Sequence, residues 1–375
     1  MKRSTDAILT THPGTLARSP QLHSVVQAIG RGEEVDKQAF DAAARQAVID
    51  IVAKQVETGI TVVNDGEQSK TSFSAYIRQR LSGFTGPEVL RPKNLHDREF
   101  PEYAARTGEQ KHPTCIGPVG WSDFSAVEKD IANMKAAVAK TPPVDAFMTS
   151  ASPGTITNHH PNRYYANREA YLYAVADVMQ REYEAIAAAG FVLQLDCPDL
   201  ALRSTWFPDL TVDEFRREVA LNIEANNHAT RNIPREQVRI HVCWGRGEGP
   251  KNHDVPLTDI VDLLLVSHAQ AISIVGANGR HEHEWRVWKE QKLPDDLILI
   301  PGVVDNTTNI IEHPEVVCDR LLNYAGIVGR ENVMGGLDCG FGNSPTADVD
   351  PRIAWAKLKS LADGAALAST ELWSK

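Results

Sequence analysis

The chain has 375 residues, of which 42% are hydrophobic and 23% are charged, an ordinary composition for a globular protein. This length allows two average domains or one large α/β barrel. The formal net charge of -10 argues against a nucleic-acid partner, because such proteins present a basic surface. No segment approaches the roughly 18 consecutive apolar residues of a membrane span, so no membrane partner is expected.

The chain start and the cysteines indicate the compartment. The opening residues MKRSTDAILTTHPG contain a basic pair but no apolar stretch of signal-peptide length, so we expect a soluble, cytoplasmic protein. The five cysteines are odd in number and widely scattered, which does not suit a disulfide framework. Reduced thiols are the better interpretation, and thiolates are soft ligands for zinc.

Short apolar or β-branched runs alternate with longer helical patterns along the chain. The candidate strands are AILTTH (7–12), ITVVNDG (60–66), DAFMTS (145–150), FVLQLDC (191–197), VRIHVCW (238–244), AISIVG (271–276), LILIPGVVD (297–305) and NVMGGLD (332–338). The helical patterns of 40–59 and 167–190 both end at glycine, the residue favoured just after a helix. A third helix is predicted from Thr211, an N-cap residue with Glu214 three positions later.

Eight strands with helices between them predict an α/β fold, a (β/α)8 TIM barrel that forms one domain over residues 1–375. A doubly wound parallel sheet is the alternative. Residues 85–123 are rich in proline and glycine and interrupt the alternation, so we predict a long excursion over one barrel end after the second strand. Residues 150–165, with His159 and His160, are predicted to form a polar loop near the active site.

In such a barrel, the side chains that perform chemistry lie at the C-terminal ends of the strands. Polar residues follow most of the predicted strands: His12, Asn64, Asp65, Glu67, Asp196, Cys197, His241, Cys243, Asp305, Asp338 and Cys339. The alternative is that the Asp and Asn residues only begin the turns that follow the strands. This alternative would explain a polar residue after one strand more readily than polar residues after most of the eight strands.

The run VRIHVCWG contains the first candidate metal ligands. His241 and Cys243 are two positions apart in a predicted strand, so their side chains share one face. Zinc in proteins is usually bound by four ligands in a tetrahedron, and Cys339 in GGLDCGFG is the best third protein ligand. The alternative is a packed thiol beside a hydrogen-bonded imidazole. Cys197 is another possible ligand or a pocket residue, whereas Cys115 and Cys318 are interpreted as structural.

Several long motifs occur in one order along nearly the whole chain. They are ILTTHPGTLARSP, GITVVNDGEQSKTSFSAYIRQRLSGF, FVLQLDCPDLA, RIHVCWGRGEGP, SIVGANGRHEHEW, IPGVVDNTTNIIEHPEVV and ENVMGGLDCGFG. With these motifs the chain resembles the catalytic barrel of cobalamin-independent methionine synthase. It is similar in particular to the short single-barrel relatives of that enzyme, which include epoxyalkane–coenzyme M transferase.

The resemblance implies a barrel with a zinc ion that binds the acceptor thiol through its sulfur. The implied zinc ligands are His241, Cys243 and Cys339. The implied contacts to the polar end of the thiol substrate come from Glu67 and Asp196, and the backbone near Gly14 and Thr15 approaches the same substrate. Asn64, Cys197 and Arg246 are the other substrate-binding candidates.

Two positions depart from the pattern of that family. Val275 stands where the family often has a glutamate zinc ligand, which leaves three protein ligands and an open position. Glu282 and Glu284 lie nearby but are expected to form structural ion pairs. Thr307 stands where the long enzymes have a histidine that protonates the folate leaving group, and threonine is a poor acid. This second departure argues against folate as the donor.

The sequence therefore predicts a zinc-dependent S-alkyltransferase with one zinc ion per chain. The first interpretation is methyl transfer from a methyl-tetrahydrofolate-type donor to a homocysteine-like thiol, which gives methionine. His12 and Asp305 are the catalytic candidates, with His12 as the acid. Partners are expected to be the small-molecule thiol and donor, with a possible homo-oligomer.

Two alternatives remain open. One is epoxide opening by zinc-bound coenzyme M, for which Arg203, Arg246 or Arg280 could supply the cation that a sulfonate needs. The other is a zinc barrel that is no transferase, either a lyase or hydrolase or an inactive binding protein. The flat side chains of Tyr164, Tyr165 and Trp206 could contact a pterin or another donor, or serve in packing.

Overall fold

The computed structural model describes residues 1–105, 111–342, 344 and 349–374. The strands among them are, in chain order, Leu9–Thr10 (β1), Val62–Val63 (β2), Leu81–Ser82 (β3), Glu88–Leu90 (β4), Lys111–Pro113 (β5), Gly120–Trp121 (β6), Asp145–Ala151 (β7), Val192–Asp196 (β8), Val238–Val242 (β9), Ala271–Ile274 (β10), Ile298–Val304 (β11) and Met334–Leu337 (β12). The α-helices are Pro20–Gly30 (α1), Lys37–Thr58 (α2), Ile77–Arg80 (α3), Leu95–Glu99 (α4), Pro101–Ala104 (α5), Ser125–Lys140 (α6), Pro153–His159 (α7), Arg168–Ala188 (α8), Arg203–Trp206 (α9), Val212–Thr230 (α10), Val261–Leu264 (α11), Pro314–Val328 (α12) and Pro351–Trp373 (α13).

Eight parallel strands form one sheet in the order β1-β12-β11-β10-β9-β8-β7-β2. At its two ends, the backbone N–H of Thr61 donates to the carbonyl oxygen of Thr10 over 3.2 Å, which joins the first strand to the second. The sheet therefore closes into a barrel. The predicted (β/α)8 fold is confirmed and the doubly wound alternative is wrong. Each of the eight predicted strands coincides with an observed one, and only β7 extends beyond its predicted range, by one residue.

The barrel interior is apolar at one end and polar at the other. One end is filled by a separate cluster of buried side chains, Leu9, Val62, Phe147, Val192, Ala271, Ile298, Ile300 and Met334. Above it lies Arg239, whose guanidinium stacks 3.5 Å over the ring of Phe147 and donates from Nε to Gln194 Oε1 over 2.8 Å. This layer forms a rigid floor beneath the C-terminal ends of the strands.

The predicted helix boundaries hold where capping signals are strong. Helix α2 ends at Gly59, whose φ of 99° lies in the left-handed region that glycine adopts without strain. Helix α10 begins with the capping box of Thr211 and Glu214. The outer layer is thinner elsewhere. Between β9 and β10 only the four residues of α11 are α-helical, and between β10 and β11 the described residues form a 3-10 helix over Glu282–Lys289.

The excursion after β2 begins earlier than residue 85. It already includes α3 and β3, and two small antiparallel ladders, β3 with β6 and β4 with β5, organise it. Arg80 anchors it to the barrel, because this buried guanidinium forms ion pairs with Asp130 of α6 and Glu182 of α8. Trp121 adds a hydrogen bond of 2.8 Å from Nε1 to the carbonyl oxygen of Val178. In the described parts of the chain, no helix is long and apolar enough for a membrane crossing.

Candidate active site and metal centre

A cavity of about 570 Å³ opens at the C-terminal ends of the barrel strands. Glu67, Asp196, His241, Cys243 and Cys339 line it where the strands end. The excursion covers one side, through residues such as His96 and Asp97 of α4. The cavity is therefore bounded by rigid strand ends below and by an irregular segment above.

His241, Cys243 and Cys339 meet at one point. Their ligand atoms all lie within 4.8 Å of one another, and the two Sγ atoms are 3.6 Å apart. The thiol of Cys339 donates to Cys243, and this hydrogen bond raises the pKa of Cys339 and lowers the pKa of Cys243. His241 and Cys243 thus share one face at the end of β9, as the sequence predicts, and Cys339 joins them there.

The three side chains fit a zinc ion. Two sulfurs in a tetrahedral site with Zn–S of about 2.3 Å would be separated by about 3.8 Å, close to the spacing seen here. The Nε2 atom of His241 is buried and has no hydrogen-bond partner among the described residues. A neutral imidazole nitrogen in that position is a standard zinc ligand.

The second ring nitrogen of His241 is held by the neighbouring strand. Ser273 of β10 pairs with His241 in register, and its Oγ lies 3.1 Å from Nδ1. Metal-binding histidines commonly make such a second hydrogen bond, which fixes the orientation of the ring. Val275, two residues further on, is buried and apolar, so this strand supplies a hydrogen bond to the centre but no ligand at that position.

The carboxylate of Glu67 faces the cavity with one oxygen unpaired. Oε1 accepts a hydrogen bond of 3.0 Å from Thr149 Oγ1, whereas Oε2 is buried and has no partner among the described residues. The backbone of Glu67 has φ of 55°, a left-handed conformation that side chains rarely adopt. Arg18 stabilises this turn by donating to the carbonyl oxygens of Glu67, Gln68 and Lys70.

Asp196 lies at the end of β8, beside His241 in the register of the sheet. Burial, and secondarily the charge of Glu67, raise the pKa of Asp196 to about 7. Gln194 Nε2 donates to its Oδ1 over 2.7 Å. Two buried carboxyl groups in one cavity repel each other when both are ionised, so a cationic group between them would be stabilised.

Gly14 and Thr15 lie against this acidic part of the cavity. A Cβ at Gly14 would be 2.7 Å from Thr149 Cγ2 and 3.2 Å from Glu67 Oε1, and its φ of 137° also favours glycine. Thr15 lines the cavity and packs close to Gly340. The close approach of backbone to the carboxylates explains the need for glycine at position 14.

Other predicted substrate residues are placed differently. Arg246 lies exposed at the cavity rim. Asn64 is buried in the turn, where its Oδ1 accepts from the N–H of Gly66 over 2.9 Å. The thiol of Cys197 faces away from the cavity, since it donates to the carbonyl oxygen of Leu195 and accepts from Asn226 of α10. The geometry therefore argues against direct substrate contact for Cys197, whereas Asn64 Nδ2 is buried beside Gly14 and has no partner among the described residues.

The geometry also argues against the two predicted catalytic residues. His12 is buried, its Nδ1 accepts from the N–H of Gly14 over 3.2 Å, and its Nε2 lies 2.7 Å from Gln55 Oε1. Burial lowers the pKa of His12 to about 4, so it is neutral with both nitrogens engaged. The carboxylate of Asp305 accepts hydrogen bonds from the backbone N–H and Oγ1 of Thr307. The contacts of His12 thus join its own loop to helix α2, and those of Asp305 lie within the turn that follows its strand.

The structure adds a residue that the sequence analysis placed in a polar loop. Residues 153–159 form helix α7, so the loop prediction was wrong for this part of 150–165. The segment does lie at the cavity, where His159 at the end of the helix has its ring 5.4 Å from that of Trp206. The signal was present, because Ser152 is an N-cap residue followed by proline. The expected ion pairs are confirmed: Glu284 pairs with His281, and Glu282 with Arg320.

Methionine synthases from several organisms are similar in sequence to this chain. Methionine synthase of Thermococcus kodakarensis is 23% identical over 350 residues, which cover 92% of this chain and 88% of that protein. Methionine synthase of Sulfolobus acidocaldarius is 23% identical over 368 residues, covering 98% of this chain and 94% of the relative.

Solved structures show the same fold. A B12-independent methionine synthase from Shewanella sp. W3-18-1, in complex with selenomethionine, aligns with a TM-score of 0.74 at 20% identity and covers 98% of this chain and 100% of that one. A putative vitamin-B12 independent methionine synthase from Listeria monocytogenes aligns with a TM-score of 0.64 at 16% identity. The sequence profile described as "Cobalamin-independent synthase, Catalytic domain" matches residues 8–360. With this match over most of its length, the chain belongs to the cobalamin-independent synthase catalytic-domain family.

Proposed function

We propose that this protein is a zinc-dependent S-methyltransferase that methylates a homocysteine-like thiol to give methionine. The observation that carries the proposal is the position of the His241, Cys243 and Cys339 ligand atoms in the same cavity as the unpaired carboxylate oxygen of Glu67. The three ligand residues suit a thiol that binds through a metal ion, and the carboxylate of Glu67 suits an ammonium group. Homocysteine carries both a thiol and an ammonium group.

His241, Cys243 and Cys339 would hold the zinc ion. When bound there, zinc would supply Lewis acidity that keeps an incoming thiol as its thiolate, the nucleophilic form, near neutral pH. Two cysteine thiolates and one neutral imidazole balance the two positive charges of zinc, so the bound sulfur would retain electron density. This charge balance is the physical reason for two cysteines in place of further histidines.

Glu67 and Asp196 would orient the acceptor. Glu67 Oε2 would accept a hydrogen bond from the ammonium group, while Thr149 holds the other oxygen in place. The ammonium charge would also relieve the repulsion between the two carboxylates and favour the ionised form of Asp196. Held at one end by its ammonium group, the acceptor would present its sulfur to His241, Cys243 and Cys339 in the same cavity.

Methyl transfer then forms one S–C bond as the bond between the methyl carbon and the leaving atom of the donor breaks. The leaving atom also gains a proton, which balances the proton that the acceptor thiol gives up. The proposed donor is of the methyl-tetrahydrofolate type, and Trp206 and His159 provide flat surfaces at the cavity wall where such a molecule would enter. Alignment of the two reactants in a water-poor cavity is itself a large contribution to the rate.

A second candidate is epoxide opening by a zinc-bound thiol such as coenzyme M. The exposed guanidinium of Arg246 at the cavity rim favours it, because a sulfonate needs a cation. The buried carboxylates Glu67 and Asp196 oppose it, since they would repel the same sulfonate near the zinc ligands.

Mass spectrometry of the thioether product distinguishes methyl transfer from epoxide opening. Zinc-loaded protein is incubated with homocysteine or coenzyme M and with methyl-tetrahydrofolate or epoxypropane, in all four combinations. We expect methionine from homocysteine and the methyl donor, and none from the Cys243→Ala/Cys339→Ala variant. A hydroxypropyl thioether of coenzyme M as the main product would favour the second candidate. Zinc-loaded protein that forms no thioether in any combination would point to a zinc barrel of another class.

A further inference from the structure

A second cavity, of about 320 Å³, adjoins the active-site cavity. It lies between the β4–β5 ladder of the excursion and helices α7 and α9, and it shares Arg91, Thr205 and Trp206 with the larger cavity. A molecule could thus occupy both spaces at once, with Trp206 at the passage between them. None of the functions proposed above uses this second space.

The charge of its lining differs from that of the protein as a whole. The lining includes Arg91, Arg168 and His112 and contains no acidic residue, although the chain has a net charge of -10. Arg168 is neutralised by an ion pair with Glu218. Arg91 has no such partner among the described residues, and its pKa is lowered through burial alone. One uncompensated positive charge therefore faces this cavity.

The same wall carries polar atoms that lack partners. Arg91 Nε, His112 Nε2, Asn158 Nδ2 and Trp206 Nε1 are all buried without a hydrogen bond among the described residues. Burial, and secondarily the charge of Arg91, lower the pKa of His112 to about 4, so its ring is neutral. The guanidinium, amide and indole atoms can only donate, and a buried donor without an acceptor destabilises the fold. Several such donors in one wall indicate that a ligand supplies the acceptors.

We propose that this cavity binds the carboxylate end of the alkyl donor, with Arg91 as the main contact. A carboxylate would offer acceptors to Arg91 Nε, Asn158 Nδ2 and Trp206 Nε1, whereas a cation would be repelled and an aliphatic group would leave the donors unpaired. The inference rests on the proposed function, because it assigns a place to the tail of the second substrate. The reactive part of the donor would then extend past Trp206 towards the zinc ligands.

Calorimetric titration with glutarate tests this site without turnover. Glutaramide, its neutral analogue, serves as the control ligand. We expect saturable binding of glutarate and none of glutaramide, and we expect Arg91→Gln to weaken glutarate binding about tenfold or more, since a charge-assisted hydrogen bond is lost. Arg45→Gln removes the same charge from an exposed position of α2 and should leave the affinity unchanged. Equal binding of both ligands, or equal affinity of the two variants, would overturn the proposal.

A second variant, Asn158→Asp, tests the site independently in case Arg91→Gln fails to fold. Asn158→Asp keeps the shape of the side chain but places a negative charge in the wall, so glutarate binding should fall while the circular dichroism spectrum stays that of the unaltered protein. Unchanged glutarate affinity in Asn158→Asp would contradict the site.

Displacement identifies the source of the carboxylate. Methyl-tetrahydrofolate carries a carboxylate tail and should displace glutarate from the unaltered protein. Persistent glutarate binding in saturating methyl-tetrahydrofolate would refute the assignment to the donor tail. These titrations require neither zinc nor methyl transfer, so their failure is distinguishable from failure to form methionine.

Discussion

The Sγ atoms of Cys243 and Cys339 lie 3.6 Å apart, although the two residues are 96 positions apart in the chain. One follows β9 and the other follows β12, so the closure of the barrel brings them together. All five cysteines are free thiols. Two thiols at this distance beside the unpaired Nε2 of His241 form a site that one soft cation can share.

Removing both sulfurs should remove the metal. We expect the unaltered protein to bind about one zinc ion per chain, and the Cys243→Ala/Cys339→Ala variant to bind almost none, because one imidazole cannot retain zinc against dialysis. Elemental analysis after dialysis measures the ratio. Cys318→Ala is the matched control, since that thiol lies in helix α12, and it should keep the full zinc content. Zinc retained by the double variant would refute the assigned ligands.

The hydroxyl of Ser273 should tune the affinity for zinc without being a ligand. Its contact with His241 Nδ1 fixes the ring, so Ser273→Ala should weaken zinc binding by about 10–100-fold while the stoichiometry at excess zinc stays the same. Competition with a chromophoric chelator gives the affinity. Ser24→Ala, on the exposed face of α1, is the control. A Ser273→Ala affinity equal to that of this control would show that the hydrogen bond does not support the centre.

The barrel was predictable because each parallel strand is an apolar run of its own. The strands are buried on both faces, so they appear in the sequence as short β-branched segments separated by helical periodicity. The convergence of the candidate metal ligands was predictable for a related reason. His241 and Cys243 depend only on the two-residue period of a strand, and Cys339 on the rule that strand ends of a barrel converge.

Part of what escaped prediction depends on contacts between distant segments. His12 lies at a strand end, as catalytic residues do, but its partner Gln55 belongs to helix α2 and cannot be recognised from periodicity. Asp305 accepts hydrogen bonds from Thr307, two positions later, which is the turn role that the sequence analysis gave as the alternative. Cys197 directly follows Asp196, and the alternation of the strand turns its thiol away from the cavity. Likewise, Arg91 and Trp206 belong to segments with no regular pattern, so their proximity is visible only in three dimensions.

Neutralising Glu67 should weaken acceptor binding selectively. Glu67→Gln keeps an oxygen for the hydrogen bond from Thr149 but removes the negative charge. The KM for homocysteine should rise about 10–100-fold, because hydrogen bonds to charged groups contribute about 1.5–3 kcal/mol. The KM for 3-mercaptopropionate, which lacks the ammonium group, should change little. Steady-state kinetics with both thiols make the comparison, and Glu57→Gln, exposed on α2, is the matched control. An equal rise for the two thiols would mean that Glu67 does not bind the ammonium group.

The buried imidazole of His12 should make stability depend on pH. Burial lowers its pKa from 6.5 in a free side chain to about 4 in the folded protein, so the unfolded chain takes up the proton first as the pH falls. Its contribution to stability is therefore fully present above pH 6.5 and is lost as the pH falls towards 4. A shift of this size corresponds to about 3 kcal/mol in the free energy of unfolding.

Urea unfolding between pH 8 and pH 4 isolates this contribution by comparison of variants. His12→Asn should be less stable than the unaltered protein at pH 8, because Gln55 and Gly14 lose their hydrogen-bond partner. Its free energy of unfolding should nevertheless fall less steeply between pH 6.5 and 4, since the group that resists protonation is gone. His283→Asn, an exposed position, should follow the curve of the unaltered protein. Parallel curves for the unaltered protein and His12→Asn would mean that His12 accepts a proton in the folded state as readily as in the unfolded chain, and would restore it as a candidate for the acid.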